Sequence, residues 1–211
     1  MKKLFSLMVS LLVGFNVFAE GEEDVDIYLK NGKVVPGQLN IVGSKNIKAF
    51  GITSSVNENL SLDNVDSIIC KIDSAVLIPL KWIEHAELPL NKEHDWTILE
   101  RIYQGKNIDG YVGFAMERDV THTGSVFTYR SSFTVRKFYY HVKNEEFAYS
   151  YFKQVQGNSD ANARMSMKMV TKKTHPALYE YMKTDDFKRD SKGLCKDPEI
   201  LLPLFDKAFD N

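Results

Sequence analysis

Between residues 26 and 83 apolar and polar positions alternate in short runs: "DIYLK", "KVVPGQLNIVG", "NIKAFGI" and "LSLDNVDSIICKI". Polar turn residues separate them, and such spacing predicts a small antiparallel barrel or sandwich of SH3-like size. Asn31-Gly32 between two of the runs is a hairpin signal, because a type I′ turn needs positive φ at both central positions. A two-residue loop pairs Lys30 with Lys33, Leu29 with Val34, Tyr28 with Val35 and Ile27 with Pro36, and puts Ile27, Leu29 and Val34 on one face. Pro36 has no N–H to donate, which assigns its strand to an edge or a bulge.

The rhythm breaks at "EHAELPLNKEHD", residues 84–95, which reads as a linker. A second strand set follows from "WTILERIYQ" to "EFAYSYFKQV". With Asn144-Glu145 as the loop, Lys143 faces Glu146, Val142 faces Phe147, Tyr140 faces Tyr149 and Phe138 faces Tyr151, all apolar pairs on one face. Phe127, Tyr129, Phe133 and Val135 have the opposite parity, which predicts a β-bulge or bend near Arg136-Lys137. The tail turns helical. Thr174 is read as an N-cap before Pro176, and Asp197-Pro198 starts a helix carrying Ile200, Leu201, Leu204, Phe205 and Ala208 at helical spacing, with Pro203 one turn in. The class is α+β: residues 20–83 form a small β module, 84–95 a linker, and 96–211 an antiparallel sheet with C-terminal helices.

The first residues, "MKKLFSLMVSLLVGFNVFAE", have the layout of a signal peptide: basic Lys2 and Lys3, an apolar run, and a small-residue cleavage site after Ala19. The run falls short of the roughly 20 residues that span a bilayer. An exported chain, periplasmic or secreted, is expected, with no transmembrane segment after cleavage. The full chain has 27 Lys+Arg against 28 Asp+Glu, and Lys2 and Lys3 leave with the signal, so nothing draws it toward nucleic acid. The two cysteines, Cys70 in an apolar run and Cys195 in a loop, permit one disulfide in an oxidising compartment.

No phosphate loop, nucleophile elbow, paired-histidine metal helix or C-x-x-C pair occurs, and no cofactor is indicated. "NSDANARMSMKM" begins like a calcium loop but has Ala163 where glycine belongs and Met169 where a bidentate glutamate belongs. His85 and His94, among Glu84, Glu87, Glu93 and Asp95, offer zinc-type donors or simply a solvated linker. Met165, Met167 and Met169 would share a face on a strand, a copper(I)-type arrangement, or serve as flexible packing. Period alone leaves 165–173 open between strand and helix. Ten of the 13 Phe, 10 Tyr and 2 Trp fall within 127–152. Most of that cluster reads as core, which leaves Arg136, Tyr139 and His141 as the exposed binding face. A dispersed hydrolytic site would draw on His122, His141 and Glu117. Asn59-Leu60-Ser61 is a glycosylation sequon, meaningful in a eukaryotic source.

"YLKNGKVVPGQL" after a signal peptide, "LSLDNVDSI", "ERIYQGK…FYYHVKNEEF" and the terminal "CKDPEILLPLF" together resemble a group of uncharacterised exported envelope proteins of Gram-negative bacteria. The resemblance implies an envelope location and a β-rich body ending in helices. It implies no catalytic residues. The expectation is a non-enzymatic binding or structural protein whose partner is an envelope protein or a glycan.

Overall fold

The computed structural model describes residues 22–41, 50–54, 61–84, 92–123, 127–155 and 157–210. The signal segment, the Asn59 sequon and His85 lie outside these. The N-terminal strands are β1 (Glu22–Leu29), β2 (Val34–Ile41), β3 (Phe50–Ser54) and β4 (Val65–Cys70). They continue into β5 (Val76–Glu84), β6 (Lys92–Gln104), β7 (Ile108–Thr123), β8 (Phe127–Val142) and β9 (Phe147–Gln154). Helices α1 (Asp160–Thr174), α2 (Pro176–Tyr181), α3 (Asp185–Asp190) and α4 (Leu201–Ala208) follow. The α+β class holds, and no described helix is long and apolar enough to cross a membrane.

All nine described strands join one sheet in the order β3-β2-β1-β4-β5-β6-β7-β8-β9. β5 belongs to two neighbourhoods. Its start pairs with β4 at Ile69↔Val76, and its end pairs in parallel with β9 at Lys81↔Phe147, Trp82↔Ala148 and Ile83↔Tyr149. The second contact closes β5 to β9 into a ring. Both ends of the segment read as a linker are strand: the β5–β6 ladder runs Trp82↔His94, Ile83↔Glu93 and Glu84↔Lys92, while residues 85–91 lie outside the described residues.

The first hairpin is one residue out from the expected register. Tyr28 faces Val34 and Ile27 faces Val35. Gly32 alone takes a positive φ, 82°, while the Asn31 side chain accepts the Lys33 N–H at 3.0 Å and the Gly32 N–H returns to the Leu29 carbonyl. The result is a three-residue loop, a turn closed by a left-handed glycine, in place of a type I′ pair. The slip moves Val34 to solvent, 47% exposed, and buries Val25, Ile27, Val35 and Leu39. Pro36 sits opposite Asp26, just before the Gly37–Ile41 stretch of β2 that pairs with β3.

The β7–β8 ladder runs without a shift from Ile108↔Val142 to Thr123↔Phe127, so β8 has no bulge against β7 at Arg136-Lys137. The register change lies on the other side of β8. Tyr140↔Tyr149 is as expected, but Phe138 faces Phe152, and Tyr151 is the extra residue on β9. Between Val135 and Tyr140 residues of both parities on β8 are buried, because both faces of this stretch are covered. Leu99, Tyr111, Tyr139 and Ala148 pack with Ile78, Leu80 and Trp82 on the inner face of the ring. Ile108, Val112, Phe138, Tyr140, Tyr151 and Phe152 pack outward against the helical layer through Met167, Leu178, Met182, Phe187, Leu201 and Phe205. Gly110 lies beneath α4: a Cβ there would meet the Leu202 side chain, which would have to shift. A third cluster, with Val25, Ile27, Leu39, Val65, Ile68 and Cys70, fills the N-terminal sheet.

Helix starts follow local chemistry. Ser159 Oγ accepts the Asn162 N–H at 3.3 Å and begins α1, so the rejected calcium loop is a helix cap. Asp197 caps a short 3-10 turn, Pro198–Ile200. That turn delays α4 to Leu201 and places Pro203 in its first turn, where a missing N–H leaves no helical bond unmade and no distortion is needed. His175, not Thr174, precedes Pro176 at the start of α2.

Candidate functional site

An open groove of about 1010 Å³ runs between the barrel and the helical layer. The barrel wall contributes Arg136 from β8 and Gln154 and Val155 from the end of β9. The helical wall contributes Gly157, Asn158, Ser159 and Asp160 at the start of α1, and Gly193, Cys195 and Lys196 from the loop after α3.

Asp160 organises the helical wall. Its carboxylate accepts the Gly193 N–H at 2.6 Å and the Cys195 N–H at 3.0 Å, and these bonds hold its carboxyl below the usual carboxylate range. Arg164, one turn along α1, reaches the Ser191 hydroxyl at 3.4 Å and fixes the same loop. Burial and then the hydrogen bond to Asp160 raise the Cys195 thiol, so it lines the groove protonated. Across from it the Arg136 guanidinium lies 5.1 Å from the Phe138 ring centroid and 3.8 Å from Glu199. At this distance, with both side chains substantially exposed, the ion pair constrains Arg136 only weakly.

The expected binding face does not form as one surface. Arg136 opens onto the groove, but Tyr139 is 4% exposed inside the ring, with its ring edge-on to Trp82 at 5.3 Å. His141 is half-buried, its Nε2 2.8 Å from the Glu145 carbonyl oxygen. The residues considered for a dispersed hydrolytic site are spread along the long hairpin. His122 pairs with Thr128, thirteen residues along β8 from His141, roughly 40 Å at the rise of an extended strand. The side chains of Glu117, His122 and His94 lie outside the described residues.

Cys70 and Cys195 are free thiols in different hydrophobic clusters and are not bridged. The methionine run is helical. Met167 is buried while Met165 and Met169 are 64% and 60% exposed, so the three do not share a copper-binding face. Among the described residues, one donor set could hold a metal: Glu23, Cys70 and Asp73, whose ligand atoms lie within 4.8 Å of one another. Burial, then the carboxylates of Glu23 and Asp73, push the Cys70 thiol up to about 12. Asp73 also spends an oxygen on the Ala75 N–H at 2.9 Å, closing the β4–β5 turn. As it stands this cluster closes a turn beside a protonated thiol.

Sequence reading named Arg136 as a binding residue and Cys195 only as a disulfide candidate, and missed the groove they share, which is assembled from three segments. The Asn158-Ser159-Asp160 cap signature was the available signal for its helical wall. Compared with known protein families, curated proteins and solved structures, the chain matches none of them.

Proposed function

We propose that this chain is an exported cell-envelope protein, periplasmic or secreted, that binds a partner without catalysing a reaction. The groove between barrel and helices is its binding surface. One observation carries this reading: the groove is open and lined by guanidinium, amide, hydroxyl and ammonium groups on walls held by internal hydrogen bonds. Two groups on its helical wall are shifted away from neutral pH, Asp160 below its ordinary range and Cys195 above it. Of the two partner classes, the lining suits a polypeptide segment better than a glycan. It offers hydrogen-bonding groups for main-chain and carboxylate oxygens, while the rings of Phe138, Tyr140, Tyr151 and Phe152 on β8 and β9 lie in the core. The signal-peptide layout of residues 1–19 supports export.

The test places a photo-crosslinking amino acid at Gln154 or Lys196 in producing cells, identifies what is captured, and titrates the purified partner against wild type and Arg136→Ala. Capture at these positions, with binding weakened roughly tenfold by Arg136→Ala, supports the reading. Capture only from positions on the N-terminal sheet, or affinity unchanged by Arg136→Ala and Lys196→Ala together, overturns it.

A further inference from the structure

The joint between α1 and α2 is made by a buried histidine. His175 ends α1 and starts α2, and is 6% exposed. Its Nδ1 lies 2.9 Å from the Tyr140 hydroxyl of β8, and its Nε2 lies 3.3 and 3.4 Å from the two Glu145 carboxylate oxygens in the β8–β9 turn. Rings close around it nearly edge to face: Tyr149 at 4.6 Å, Tyr140 at 5.4 Å and Phe209 at 5.5 Å. Through these contacts α1, α2, β8, β9 and the chain end after α4 meet at one imidazole.

The proton inventory fixes its state. Burial raises the Tyr140 phenol far above its ordinary value, so its hydroxyl keeps a proton and donates it to Nδ1. Nε2 then carries the ring's own hydrogen and donates to Glu145, which also accepts a hydrogen bond from Tyr149. A neutral imidazole satisfies both neighbours at once. A second proton would sit on Nδ1 and leave two donors facing each other, so the Tyr140 hydroxyl would have to turn toward Thr174, its neighbour on α1. It would also place a full charge in an apolar cage, opposed only by a carboxylate that is itself 37% exposed.

We propose that His175 is an acid-sensitive latch: neutral, it fastens the helical layer to the β8–β9 turn, and protonated, it lets that layer loosen. The charged and titratable groups facing it are Tyr140 from β8, Glu145 from the turn and Tyr149 from β9, while α1 contributes Thr174 and the segment after α4 contributes Phe209. Burial outweighs the attraction of Glu145 and lowers the imidazole below its ordinary 6.5. Its contribution to stability is complete above 6.5 and is lost as pH falls through the lower folded-state value. Because α1 runs from the groove at Ser159-Asp160 to this joint, loosening it also slackens the groove wall. The latch stands whether or not the groove binds a partner.

Two measurements on residues 20–211 test it without any ligand. Histidine ring NMR should show His175 titrating below 6.5, with Glu145→Gln lowering it further. Amide exchange, corrected for intrinsic rates, should show α1 and α2 opening roughly tenfold more readily relative to the β7–β8 ladder at about pH 5 than at about pH 7.5. His175→Gln should flatten that difference. If this variant does not fold, the wild-type data alone decide. A ring that titrates at or above 6.5, or helices and ladder that respond to acid alike, would overturn the latch.

Discussion

Replacing Asp206 with alanine removes the group that organises the β6–β7 turn from the opposite side of the chain. Its carboxylate accepts N–H bonds from Lys106 at 3.0 Å, Asn107 at 2.6 Å and Ile108 at 2.9 Å, and the Tyr103 hydroxyl at 3.3 Å. The Lys106 bond is exposed, and water replaces it at little cost. The Asn107 and Ile108 donors are partly buried. Charge-assisted bonds to such donors contribute about 1.5–3 kcal/mol each, and allowing for partial solvation and non-additivity the loss is about 3 kcal/mol. Asp206→Asn keeps one oxygen acceptor and should lose about half of that. Burial raises this carboxyl, but the three main-chain donors outweigh it and the net shift is downward. The stabilisation is therefore full above the ordinary 3.8 and is lost as pH falls below it. Urea unfolding should show a lower midpoint for Asp206→Ala at an unchanged slope, with the gap to wild type closing in acid. A penalty under about 1 kcal/mol at neutral pH, or a gap indifferent to pH, would refute the reasoning.

Gly110→Ala should destabilise by about 1–3 kcal/mol in the same assay, with a second change, Leu202→Ala, recovering part of the loss in a double-mutant cycle. With a thiol reagent at about pH 8, Cys195 should react before Cys70, whose thiol is held up to about 12. Unfolded protein should then yield both thiols, and a mass two hydrogens short under non-reducing conditions would contradict the free pair. Asp160→Asn should speed amide exchange at Gly193 and Cys195 and leave the β1–β2 ladder unchanged, and an effect spread evenly over the chain would count against its local role.

What could be read from the residues was what local chemistry decides. The Tyr140↔Tyr149 register follows from a short turn whose flanking charges and rings match, and Asp197-Pro198 announces its own helical turn. Asn31-Gly32 marked the hairpin, but one left-handed residue or two makes a one-residue difference, and only backbone geometry decides it. The parity change along β8 pointed to a bulge because a strand was assumed to have one wet face. A strand covered on both sides buries both parities and carries no such signal. Met165 to Met169 could not be assigned without the Ser159 cap. The groove escaped notice because Arg136, Ser159 and Lys196 become neighbours only after the helical layer folds back over β9.

The parallel seam between β5 and β9 also sets an order of events in time. Lys81 donates to Glu146 at 2.9 Å, a contact between positions 65 residues apart, and the seam begins one residue later at Phe147. Until that residue has left the ribosome and reached its place, the end of β5 presents an unpaired row of N–H and C=O groups, the kind of edge that recruits other chains. Closing so long a loop makes the ring a slow, non-local step. A fragment stopping short of Phe147 should therefore aggregate rather than fold.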